Sequence, residues 1–77
     1  MPSRLVELVA EVLELPAAEI RPDTGPATTG EWVSLRHLRI IAAVEDTYGV
    51  TFTPREIRGI RSLGDLREFL RGRDVAE

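Results

Sequence analysis

Ser34-Leu35-Arg36-His37-Leu38-Arg39-Ile40-Ile41-Ala42-Ala43-Val44-Glu45-Asp46-Thr47-Tyr48-Gly49 is the stretch that decides the fold. Ile40, Ile41, Val44 and Tyr48 recur at intervals of three, four and eight, which places them on one face of a helix over residues 34–48. Leu38 and Ala42 extend that apolar stripe sideways, and Gly49 supplies the stop. Val50-Thr51-Phe52 reads as extended chain too short to found a sheet. Next comes a strong start signal, Thr53-Pro54-Arg55-Glu56. Thr53 can cap, Pro54 suits the first helical position and Glu56 can complete a capping box, so a short helix is expected over 54–59. Ser62-Leu63-Gly64-Asp65 repeats the pattern and opens a last helix over 63–71, with Leu63, Leu66, Phe69 and Leu70 inward. Gly72 ends it, leaving 73–77 as an expected frayed tail.

Upstream, Ser3 can cap a helix running to about Leu15, ended by Pro16. Its apolar positions are Leu5, Leu8, Val9, Val12 and Leu13, with Arg4, Glu7, Glu11 and Glu14 opposite. Between Pro16 and Val33 the prolines and glycines argue against any long regular element, although a helical turn over 16–19 is allowed. A loop of this length in so small a chain tends to be functional or packed on its own side chains. Ile20 and Trp32 are the residues expected to pin it to the core. The expected architecture is all-α: a small four-helix bundle over residues 1–77, with helices at about 3–15, 34–48, 54–59 and 63–71 and a long first loop.

A chain of 77 residues builds one compact core and has little room for a deep substrate pocket as well. It has no cysteine, which excludes disulfide staples and thiolate metal sites. Thirteen acidic side chains face ten basic ones, all arginine and spread among the acids, so there is no basic stripe of the kind nucleic-acid binding needs. Glu7, Glu11 and Glu14 interrupt what a signal peptide would need as a continuous apolar run. No apolar run approaches the roughly 20 residues that cross a bilayer. The expected setting is the cytoplasm, and the expected state is a free-standing monomer.

The run from Trp32 through Leu38, the Tyr48-Gly49-Val50 turn, Thr53-Pro54-Arg55-Glu56-Ile57 and Ile60-Arg61-Ser62-Leu63-Gly64-Asp65-Leu66 together resemble the acyl carrier protein family. In that family an Asp-Ser-Leu motif begins the second helix, and the resemblance here extends from about Leu5 to Leu70. It implies that a phosphopantetheinyl transferase attaches phosphopantetheine to Ser34, and that the arm carries an acyl or aminoacyl group as a thioester. The implied partners are that transferase, the enzymes that load the group and the biosynthetic enzymes downstream, in a polyketide, nonribosomal peptide or related specialised pathway. Such a carrier contributes position and is not an enzyme.

Val33 departs from the family, which has an acidic residue there, and a valine cannot cap a helix. The alternative reading is therefore an unmodified carrier-fold interaction module. Charge departs too, because Arg36 and Arg39 occupy the first half of a helix that is often acidic in the family. Leu35, Arg36, Leu38, Arg39, Ala42 and Ile57 form the expected docking patch for partners. A Ser34–His37 hydrolase is disfavoured, since no third residue is placed to orient the imidazole. His37 is expected to face solvent or a partner, and Trp32 to anchor the loop.

Overall fold

In the computed structural model, which describes residues 3–76, the chain forms four α-helices: α1 (Arg4–Leu13), α2 (Ser34–Tyr48), α3 (Pro54–Gly59) and α4 (Leu63–Gly72). A single 3-10 turn at Ala17–Glu19 interrupts the first loop. Among the described residues there is no strand. The shortest principal dimension is 19 Å, about two helix diameters, so one apolar layer is all the molecule holds between its helices.

Local chemistry explains three of the four helix starts. Ser3 accepts from the Val6 N–H, Ser62 accepts from the Asp65 N–H, and Thr53 and Glu56 form a reciprocal capping box with Pro54 beside it. The exception is α2. Its cap is Val33, whose side chain makes no capping bond, and Ser34 is the first helical residue rather than the cap.

The ends of α1 and α4 differ from expectation. α1 stops two residues before Leu15, because Glu14 turns left-handed (φ 59°) and the Leu15 N–H reaches back to the Ala10 carbonyl at 3.0 Å. Pro16 favours that early stop by holding Leu15 out of the helical region. At the other end, Gly72 lies inside α4, and the tail is not frayed as far as it is described. Asp74 is left-handed, the Val75 N–H bonds to the Leu70 carbonyl at 2.9 Å, and Val75 packs against the core. Glu77 lies outside the described residues.

The core joins Leu5, Val9 and Leu13 of α1, Ile40, Ile41 and Val44 of α2, and Leu63, Leu66 and Leu70 of α4. Trp32, Ile20, Phe52 and Ile60 fill in from the connections. α1 is rotated from the sequence reading. Val6 and Ala10 are buried, whereas Leu8 and Val12 sit half-buried at the margin. Phe69 is also half-buried and stacks on Phe52 with ring centroids 3.8 Å apart, while the Arg73 guanidinium covers its ring at 4.5 Å.

The long loop is tied to the start of α4. The first two N–H groups of that helix, Leu63 and Gly64, donate to the Thr24 and Pro22 carbonyls at 2.9 and 2.8 Å. With Asp65 N–H on Ser62 Oγ and Leu66 N–H on the Ser62 carbonyl, all four donors of its first turn are satisfied. Gly25 lies so close that a Cβ built there would be 1.9 Å from the Arg61 carbonyl oxygen. Thr24 is buried, and its hydroxyl accepts from the Arg21 N–H at 2.8 Å.

Candidate functional site

Ser34 opens α2 at the point where the loop ends, and it is exposed. Among the described residues nothing bonds to its hydroxyl, and nothing accepts from the N–H groups of Ser34, Leu35 or Arg36. The first bond of the helix is His37 N–H to the Val33 carbonyl, at 2.8 Å. Free N–H groups and the positive end of the helix dipole therefore meet at a free hydroxyl, an arrangement that suits a phosphodiester.

An open groove of about 810 Å³ runs beside Ser34. Pro26 and Ala27 of the loop form one wall, and Ile57, Arg58, Ile60 and Arg61 form another. Val33, Ser34 and Leu38 supply the edge on the α2 side. Its lining includes two arginines and no carboxylate. Val33, Leu35 and Leu38 are 53%, 61% and 56% exposed, and they are the large hydrophobic side chains that the described structure leaves in solvent.

Trp32 and His37 also line the groove and brace it. Trp32 is only 2% exposed, and its indole N–H donates to His37 Nδ1 at 2.9 Å. An indole nitrogen can only donate, so Nδ1 must accept; Nε2 then carries the proton and donates to the Ile57 carbonyl, 2.9 Å away. His37 is thus a strut joining the loop, α2 and α3, which corrects the expectation of a histidine facing solvent or a partner. With both ring nitrogens engaged, it is not placed to serve as a base for Ser34. Trp32 anchors the loop as expected.

The structure distributes the expected docking residues unevenly. Leu35, Leu38, Arg39 and Ala42 are exposed on α2, and Ile57 forms part of the groove wall. Arg36 is turned away. Its guanidinium donates to the Leu13 carbonyl at 3.0 Å and pairs with Glu14 at 3.2 Å, closing the C-terminal end of α1. Pro26, Ala27, Arg58 and Arg61 join the groove beyond the residues expected there. Arg58 follows Ile57 directly, so its place on the wall was within reach, but nothing in a loop's composition says where Pro26 will lie.

The Glu56 carboxyl of α3 titrates below the ordinary range for glutamate, chiefly because the Thr53 N–H donates to it. Desolvation opposes this and is second in weight only to that bond, while the Arg73 guanidinium, 3.0 Å from the Glu56 carboxylate, and then the Thr53 hydroxyl lower it further. Among the described residues no group of three or more His, Asp or Glu is placed to hold a metal ion, and no helix is long and apolar enough to cross a membrane.

No family model matches the chain. A curated relative, the acyl carrier protein of Acidothermus cellulolyticus (strain ATCC 43068 / DSM 8971 / 11B), is 22% identical over 72 residues. That match covers 94% of this chain and 86% of the relative. The chain is therefore similar to an acyl carrier protein along nearly its whole length, and its four helices agree with the small bundle that the resemblance implies.

Proposed function

We propose that this chain is a carrier whose Ser34 hydroxyl receives a phosphopantetheine arm. The observation that supports this most is the free, exposed hydroxyl at the first position of α2, beside an apolar groove, in a chain similar to an acyl carrier protein. The arm supplies a flexible tether ending in a thiol that holds an acyl or aminoacyl group as a thioester. The rest is done by the chain itself. Ser34 Oγ is the point of attachment, and the unpaired N–H groups of Ser34, Leu35 and Arg36 are available to the phosphodiester oxygens. The Trp32–His37–Ile57 bridge holds the groove walls in place beside it. The chain needs no base of its own for attachment, because the transferase brings one. Polyketide, nonribosomal peptide and related specialised pathways are the settings this reading favours, since the arginines around Ser34 suit dedicated partners.

One observation favours a second reading. Val33 offers no side-chain cap and no acidic group beside Ser34, as expected of a carrier-fold interaction module that is never loaded. Mass spectrometry decides between the two. With coenzyme A and a permissive transferase, the protein gains the mass of one phosphopantetheine, and Ser34→Ala gains nothing. If the mass is unchanged with every transferase tried, the carrier reading falls and the interaction module stands.

A further inference from the structure

We propose that the face around Ser34 docks on an acidic protein surface, one that offers an apolar recess bordered by carboxylates. This deepens the carrier reading and rests on it for the purpose of docking, but the contact itself does not require a loaded Ser34. Two independent observations point the same way. Val33, Leu35 and Leu38, the exposed large hydrophobic side chains, all lie within four positions of Ser34. A cluster of this kind on a small soluble chain marks an interface.

The charged side chains that line the groove have one sign. Arg58 and Arg61 border the groove on the α3 side, and Arg39 stands one turn on from Leu35 on the other. None of these three guanidinium groups has a hydrogen-bond or ion-pair partner among the described residues. Most of the nearby carboxylates are engaged or distant, and Asp65, the one closest to Arg61, accepts the Arg61 backbone N–H at 2.8 Å. Glu14 pairs with Arg36, and Glu45 accepts the Phe52 N–H at 2.8 Å. Asp46 lies about 18 Å along α2 from Ser34 at 1.5 Å per residue, and Glu31 is exposed in the loop without lining the groove. A chain with a net charge of −3 thus gathers unpaired positive charge around its apolar collar. Unpaired guanidinium groups at an interface call for carboxylates opposite. An anionic membrane would also attract them, but three arginines on a net acidic chain fall short of the roughly 4–8 clustered cations that lipid surfaces usually need.

The test titrates the isotope-labelled protein with two synthetic amphipathic helical peptides, identical except that glutamates flanking a leucine face in one are lysines in the other. Net charge alone favours the lysine peptide, so preference for the glutamate peptide must come from the local surface. The expected result is that the glutamate peptide shifts the amide signals of residues 33–39 and 57–61 and binds more weakly as salt rises. Arg58→Glu with Arg61→Glu weakens that binding about tenfold or more and lets the lysine peptide bind instead. Circular dichroism verifies that the variant is folded, and Arg58→Gln with Arg61→Gln provides a milder second variant. The proposal is overturned if the lysine peptide binds equally well, if neither peptide binds, if the shifts lie elsewhere, or if phosphatidylglycerol vesicles bind more tightly than the glutamate peptide. Loading of Ser34 is measured separately by mass, so loss of one reading leaves the other to be judged by itself.

Discussion

With Val33 as its cap, the start of α2 has three N–H groups without a partner among the described residues, whereas α4 has every donor of its first turn satisfied. An aspartate there can accept from the Leu35 or Arg36 N–H and place negative charge at the positive end of the helix. Val33→Asp is therefore expected to stabilise the protein by about 0.5–2 kcal/mol, read as a higher midpoint in chemical denaturation. On the carrier reading it also speeds loading, because it restores the family's acidic residue beside Ser34. An unchanged midpoint would mean that solvent already serves those N–H groups as well as a carboxylate does. That Ser34 opens the second helix was legible from the apolar spacing that follows it. The strut formed by His37 was not, because its partners are an indole five residues back and a carbonyl on another helix.

At the scale of elements, the helix starts were readable wherever the cap lies next to the helix it serves, as with Thr53 and Glu56 or Ser62 and Asp65. The face of α1 was less so. Leu5, Val6, Leu8, Val9, Ala10, Val12 and Leu13 offer apolar groups on both sides of the stripe, and only packing selects Val6 and Ala10 over Leu8 and Val12. The loop resisted reading for a different reason. Pro22 and Thr24 contribute carbonyls to a helix remote in sequence, and composition carries no record of that pairing. Gly25 makes the pairing testable, because a methyl group there collides with the Arg61 backbone. Gly25→Ala is expected to cost about 1–3 kcal/mol by forcing the loop away from α4, and to leave the amides of Leu63 and Gly64 exchanging faster with solvent. Slow exchange at both amides in the variant would show that the loop can shift without losing its grip.

Across the whole molecule, α3 and the C-terminal segment are held together through Glu56, which caps its own helix and pairs with Arg73, itself lying on Phe69. Its carboxyl has a lower pKa folded than unfolded. The folded state thus binds this proton less readily, and the contribution to stability is complete above the ordinary glutamate range. It is lost as pH falls through the lowered folded value. Glu56→Gln should flatten that part of the acid side of the stability profile and leave less to lose on acidification, as measured by thermal unfolding at a series of pH values. Parallel acid profiles for the two proteins would place the acid sensitivity in other carboxylates.

The bridge from Trp32 to His37 has a practical consequence. Trp32 is the chain's one tryptophan, its ring is shielded from water, and its N–H is held by a residue that also grips α3. The protein therefore carries a built-in fluorophore at the foot of its groove, with no competing indole signal elsewhere. Any event that separates α3 from α2, whether an arm settling into the groove or a partner closing over it, changes the polarity and hydrogen bonding around that one emitter. Emission colour and lifetime become a label-free readout of the groove, in real time and on the unmodified sequence.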